Sequence, residues 1–248
     1  QDQRRILGDH LTLLGETADA DAAYAQHIRH STRDPRLLEP AAALCEGRIA
    51  EAEHLLRNHL REYPTDVAAI RMLAEVGARL GRYGDAEKLL SRCLELAPGF
   101  LAARHNRAVV LQKQAKLAAA VAEVDLLLVA DPGNPGYRNL AASLAARLGD
   151  MTRAIGIYAE VLREYPRQAK LWMSYGHTLK TAGRLDEAIA AYRRCLDLAP
   201  QLGEAWWSLA NLKTFRFSAD DLAAMRRQLA RQDLTDTDRF HFDFALGK

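Results

Sequence analysis

Proline recurs with a fixed step in this chain: Pro64, Pro98, Pro132, Pro166 and Pro200 are each 34 residues apart. Other residue types keep the same step. Ala52, Ala86, Ala120, Ala154 and Ala188 form one column, and Ala74, Ala108, Ala142, Gly176 and Ala210 form another. Gly47, Gly81, Gly149 and Gly183 make a turn column in which Ala115 takes the remaining place. Columns in step mean one supersecondary unit repeated and stacked, because a unit this small cannot bury its apolar face alone. Alanine is frequent and β-branched runs are scarce, which favours helices. Each proline lacks an N–H and has a fixed φ, so it stops the second helix of its unit. Two such helices cross closely only where side chains are small. That predicts Gly176 against Ala188, with Leu56, Leu90, Val124, Tyr158 and Tyr192 supplying bulk beside each crossing.

The unit resembles the tetratricopeptide repeat, a helix–turn–helix of this period. The clearest copy runs through Trp172, Tyr175, Gly176, Ala188, Tyr192 and Pro200, and the next opens with Trp206, Leu209 and Ala210. The resemblance implies an all-α fold, a right-handed superhelix (α-solenoid) of antiparallel helix pairs. Residues 1–32 read as an irregular N-terminal helical pair and residues 33–202 as five units. Residues 203–248 read as a partial sixth unit, capped helices and the truncated start of a further repeat. The first full unit has a shortened leading helix, weakened further by Pro40. In the last part Ser218 with Asp221, and Thr235 with Asp238, have the spacing of helix caps. The start at Gln1 without Met reads as a fragment of a longer protein.

Composition removes several functions. A net charge of +2 is too mild to announce a nucleic-acid partner. The most apolar stretch, residues 121–130, is broken by Glu123 and Asp125, so no membrane span is expected. Cys45, Cys93 and Cys195 form no CxxC pair, which favours a reducing, cytoplasmic setting. Cys93 and Cys195 share a repeat column and are expected as buried structural thiols. His27 with His30, and His54 with His59, lack a third ligand, so neither metal nor other cofactor is expected. The Gly/Pro-rich stretch from Asp131 to Gly136 follows a helix rather than a strand, which speaks against a phosphate cradle. No nucleophile elbow, HExxH or GxGxxG motif is present. The segment is read as non-catalytic.

Three longer runs narrow the resemblance: Trp172–Thr181, Trp206–Phe217 and Phe242–Lys248. They resemble the N-terminal repeats of bacterial proteins that join a tetratricopeptide array to a C-terminal sulfotransferase domain. Sulfotransferases hold phosphoadenosine phosphosulfate with a Pro-Arg-Ser-Gly-Thr-like loop, and this chain has none. The resemblance therefore implies an interaction module with its enzyme beyond Lys248; the alternative is a stand-alone adaptor.

A tetratricopeptide array binds along the concave groove lined by its leading helices. The corresponding columns give Arg71, Arg79, His105, Asn106, Lys113, Asn139, Arg147, Lys170, His177, Lys180, Trp207 and Asn211 as candidate contacts, with Ser143 and Met173 beside them. Six of these are Lys or Arg, against a single acid in the same columns, Glu75. A wall of one sign concentrates partners of the other. The expected partner is a protein or peptide, acidic in character, or an anionic glycan. Trp172 and Trp206 share a column expected in the core. Trp207, one residue on, is expected either as a groove anchor or covered by Phe215, Phe217 or the trailing helices.

Overall fold

A computed structural model describes residues 34–248; the expected helical pair of residues 1–32 and the His27/His30 pair lie outside them. Thirteen helices and no strand occur among the described residues. They form two compact units, one ending at Pro132 and one running from Gly133 to Lys248.

The first unit contains α1 (Pro35–Cys45), α2 (Ile49–Glu62), α3 (Val67–Arg79), α4 (Tyr83–Leu96), α5 (Leu101–Lys113) and α6 (Leu117–Ala130). Leading helices α3 and α5 have 13 residues and every trailing helix has 14, whereas α1 has 11. The leading helix of the first unit is short, as expected. Pro40 sits inside α1 without ending it, and its ring is buried.

In the second unit the pairs continue with α7 (Pro135–Arg147), α8 (Met151–Glu164), α9 (Ala169–Thr181) and α10 (Leu185–Leu198). Then come the eight-residue α11 (Gly203–Ala210), α12 (Ala219–Leu229) and α13 (Asp236–Leu246). Asn134 caps α7, accepting from the Gly136 and Tyr137 amides at 3.0 and 3.3 Å. The N–H groups an anion would need are therefore already taken by a side chain.

Each hairpin turns the same way. The backbone N–H after the turn residue donates to the carbonyl five positions back: Arg48 to Ala43, Arg82 to Gly77, Lys116 to Leu111, Asp150 to Ala145 and Arg184 to Leu179, at 2.8–3.0 Å. That closure puts the turn residue at positive φ, from 72 to 89° at the four glycines. Ala115 makes the same turn at φ 58° despite its Cβ.

Packing follows the columns. Ala52, Ala86, Ala120, Ala154 and Ala188 are all 0% exposed. Beside the expected crossing with Ala188, the bulky column bears directly on Gly176: a Cβ there would lie 2.7–3.1 Å from ring atoms of Tyr192. Gly176 is small because the bulky column lies over it. In the first unit it is Gly77 that faces Ala86, at ordinary contact distance.

The Trp172/Trp206 column has a second role. Both indole N–H groups donate to the proline carbonyl six residues back, Pro166 at 2.8 Å and Pro200 at 2.9 Å. Arg104, in the same column, reaches Pro98 with its guanidinium at 3.0 Å. Trp206 is buried, with Phe217 and Phe242 against its ring, whereas Trp172 is only half-buried.

Past α11 the period ends. A capping box of Ser218 and Asp221 opens α12, and Thr235 caps α13. A bidentate pair from Arg193 to Asp221, at 2.5 and 2.7 Å, ties α10 to α12. Helix α13 packs on α11: the Gly203 amide donates to Asp238 Oδ1 at 2.9 Å, and a Cβ on Gly203 would overlap the Asp238 carbonyl oxygen. Phe242 is fully buried beside Trp206.

Candidate binding faces of the leading helices

In the first unit the candidate residues fall on α3 and α5. Glu75 accepts from Arg79 at 2.6 Å and stands 3.9 Å from Arg71. The other arm of Arg79 donates to the Leu44 carbonyl at 2.7 Å, satisfying an oxygen in the last turn of α1. Arg79 thus ties two helices together and is partly neutralised. His105 is half-buried, and burial holds its imidazole below the ordinary value against the bond from Asn106. Lys113, in the last turn of α5, is exposed.

In the second unit Arg147 and His177 come together. A cavity of about 290 Å³ lies between α7, α8 and α9, lined by Ser143, Arg147, Tyr158, Ser174, His177 and Thr181 among others. Ser174, Thr178 and Thr181 each donate a hydroxyl to the carbonyl four residues back, at 2.9–3.1 Å. Each hydroxyl proton is thus spent within its own helix, leaving the oxygen as an acceptor only. Tyr158 is buried and pushed up to about 12 by desolvation, so it stays a neutral phenol.

His177 is held on both sides. Its Nδ1 is 2.9 Å from the Tyr192 hydroxyl and its Nε2 3.4 Å from Glu204. Burial pulls the imidazole below its ordinary value, while Glu204 pulls the other way. Asn139, Lys170 and Lys180 do not line this cavity.

Trp207 and Asn211 line a separate cleft of about 430 Å³ with Asp243, Phe244 and Lys248. Trp207 is 39% exposed, and its ring lies 5.7 Å from that of His241 on α13. Of the covers expected, Phe217 packs on Trp206 instead, at 6.0 Å, and it is the trailing helix α13 that lies against Trp207, through His241. Asn211 is already engaged, donating to the Trp207 carbonyl at 3.0 Å and accepting from Lys248 at 2.9 Å.

Columns alone missed Tyr158, Glu204 and all of α13. The Phe240/Phe244 pair, four residues apart with ring centroids at 4.5 Å, is the signal that could have drawn attention to α13. Cys93 is buried, donates to the Val67 carbonyl at 3.3 Å and is pushed up to about 12; Cys195 is pushed up to about 11. Among the described residues no three His, Cys, Asp or Glu side chains converge as metal ligands, and no helix is long and apolar enough to cross a membrane.

Known proteins share this architecture. Family models of the tetratricopeptide repeat match residues 43–92, 78–144 and 139–203. The human protein O-mannosyl-transferase TMTC1 is 25% identical over 203 residues, which is 78% of this chain; the chain spans only 23% of that protein's length. A tetratricopeptide repeat protein from Parabacteroides merdae ATCC 43184 superposes with a TM-score of 0.69 at 12% identity, covering 99% of this chain and 98% of that one. YrrB, described as a tetratricopeptide protein with an unusual peptide-binding site, superposes with a TM-score of 0.54 at 15% identity over 75% of this chain and 97% of its own. From residue 43 to residue 203, then, the chain belongs to the tetratricopeptide-repeat family.

Proposed function

We propose that this tetratricopeptide scaffold binds an acidic segment of a protein partner on the leading-helix face of residues 133–248, centred on the cavity beside Arg147. One observation carries the reading. Arg147 and His177, five hydroxyl residues (Ser143, Tyr158, Ser174, Thr178, Thr181) and an apolar wall of Ala146 and Met151 line a space of about 290 Å³. Such a space takes a carboxylate-bearing side chain, which accepts from the guanidinium while neighbouring backbone N–H groups meet the hydroxyl oxygens. The first unit is the weaker candidate, because Glu75 offsets Arg71 and Arg79 is bound to Leu44. Asn139, Lys170, Lys180, Trp207 and Asn211 extend the same face and are proposed as flanking contacts. The peptide-binding site named for YrrB supports a peptide as ligand class, and an anionic glycan is the other ligand of matching charge.

Arg147→Glu tests this. An acidic peptide array probed with the wild-type chain and the variant should lose roughly tenfold in affinity on the reversal, with the fold retained. Unchanged binding to the same peptides would remove the cavity from the reading.

The wider setting rests on the sequence resemblance. Residues 33–202 are proposed as the binding array of a bacterial protein and 203–248 as the segment that ends it, with a sulfotransferase domain downstream. Sequencing the reading frame past Lys248 decides it. A strand followed by a Pro-Arg-Ser-Gly-Thr-like loop supports the enzyme-linked module, and a stop codon leaves the stand-alone adaptor. A cytoplasmic setting is proposed from three cysteines without a pairing pattern.

A further inference from the structure

A third cavity, of about 460 Å³, lies on the other side of α11, where the repeat pattern has ended. Its floor is apolar: Phe215 and Phe217 from the loop after α11, Leu222 from α12 and Leu246 from α13, all at the edge of the core. Its rim is cationic. Lys213 and Arg216 are exposed side chains of the loop, and Lys248 joins them from the end of α13. Lys248 is fixed by donating to the Ala210 carbonyl at 3.2 Å and to Asn211 Oδ1 at 2.9 Å. Among the described residues no Asp or Glu side chain lines the cavity. Asp221, near in sequence, is held by Arg193.

An apolar floor under a rim of one sign selects ligands that carry both features. Nucleic acid and acidic peptide both combine apolar surface with negative charge, and the rings separate them. Base stacking needs a free aromatic face. The Arg193 guanidinium stands 5.1 Å over the Phe215 ring, Phe215 meets Phe217 edge-on at 5.2 Å, and Phe217 lies against Trp206 at 6.0 Å. What remains open is a slot between Phe217, Leu222 and Leu246, suited to one inserted side chain.

We propose that this cavity is a second docking site, for a protein segment that inserts one large apolar side chain into the slot and sets flanking carboxylates against Lys213 and Arg216. The site is built by α11, α12 and α13 and shares no residue with the Arg147 cavity, so either can fail without the other.

The experiment uses fluorescein-labelled peptides carrying a single Leu or Phe between glutamates, the same peptides with lysine or serine in place of glutamate, and a single-stranded oligonucleotide. Fluorescence anisotropy is read with the wild-type chain, with the Lys213→Glu, Arg216→Glu double variant and with Arg147→Glu. Glutamate-flanked peptides should bind best and weaken with salt. They should lose roughly tenfold or more in the double variant, while Arg147→Glu, which removes only the binding at the other cavity, keeps the preference for Leu or Phe over Ala. Leu222→Lys, which puts a charge into the slot, should abolish the preference for Leu or Phe over Ala. Equal binding of glutamate- and serine-flanked peptides, or binding indifferent to the double reversal, overturns the proposal. Oligonucleotide binding that is lost in the double variant overturns it in favour of nucleic acid. Both loop cations are exposed, so their reversal leaves the melting temperature as a check that the fold is intact.

Discussion

The two units share one hairpin and hold successive hairpins together with different chemistry. In residues 34–132 an ion pair is added to each apolar seam. Arg82 reaches Glu53 at 2.9 Å, and one period later Lys116 reaches Glu87 at 2.6 Å. In residues 133–248 the same glutamate column holds Ile155 and Ile189, which pack into an apolar cluster. The bulky column changes in parallel, from Leu56, Leu90 and Val124 to Tyr158 and Tyr192. All three tryptophans and five of the six phenylalanines fall in the second unit. Each unit also buries a carboxylate: Glu123 in the first, held between Arg104 at 2.9 Å and Arg107 at 2.5 Å, and Asp221 in the second, held by Arg193. The period therefore specifies the turn and the small-residue crossings, and leaves the chemistry of the seam open. That freedom bears on function, since rigid rings such as Tyr158 border a cavity in the second unit that a ligand can enter.

The largest effect should come from bringing the first unit's side chains into the second unit's crossing. Gly176→Ala puts a methyl group within 3 Å of the buried Tyr192 ring and should cost about 1–3 kcal/mol by overpacking. In the first unit the matching positions are Ala74 and Leu90, packed in one cluster without conflict. Tyr192→Leu should therefore relieve the clash, although alone it loses the bond to His177. Thermal melts followed by tryptophan fluorescence report on the second unit, where all three indoles lie. A double-mutant cycle should show Gly176→Ala costing far less in the Tyr192→Leu background than in the wild type. Equal cost in both backgrounds would mean that ring size does not set this crossing.

The hairpins were legible in the sequence because their causes are local. A proline after a helix, a glycine at positive φ and an alanine at a crossing each act within a few residues and repeat with the period. The buried thiols of Cys93 and Cys195 were legible for the same reason, being in a core column. Pairings across space were not. That a Cβ on Gly176 would meet the Tyr192 ring depends on the direction of that Cβ, which the smallness of the column does not reveal. The columns correctly placed Arg147 and His177 on one face, and the structure adds that they share a cavity. They could not reveal that Arg79 is occupied, because its partner is the backbone carbonyl of Leu44, 35 residues upstream. Lys213 and Arg216 lie where the period has ended, so no column pointed to them.

A smaller effect separates the hairpin turns. Ala115 holds φ 58°, which is unfavourable for a residue with a Cβ, yet its turn makes the same hydrogen bonds as the glycine turns. Ala115→Gly should stabilise the chain by about 0.5–1 kcal/mol, the gain in the folded turn being partly offset by glycine's freedom when unfolded. Gly149→Ala is the mirror experiment in the second unit. A Cβ there meets nothing within 4 Å, so any loss is conformational and should be of similar size and opposite sign. Chemical denaturation followed by circular dichroism measures both. If Ala115→Gly destabilises, the turn geometry is not what ranks glycine first in this column.

The smallest effect concerns the first unit's ion pairs, and its sign is fixed by the direction of two shifts. Arg82 and then Arg57 hold the Glu53 carboxyl below its ordinary value of 4.5, and Lys116 and then Gln114 do the same for Glu87. A carboxyl lowered on folding contributes stability that is fully present above its unfolded value and is lost as pH falls through the lowered one. The double variant Glu53→Gln, Glu87→Gln should thus melt slightly below the wild type at neutral pH, and the gap should begin to narrow below the ordinary carboxyl value of 4.5 and close once the solution is more acidic than the lowered values. High salt should narrow it as well, since both bases are solvent-exposed and such pairs are weak. Ile155 and Ile189 occupy these places in the second unit and do not titrate, so their packing offers no counterpart to the effect. A gap that stays constant from neutral to acid pH would mean that the two glutamates serve through shape rather than charge, and the seams of the two units would then differ in residue type without differing in kind.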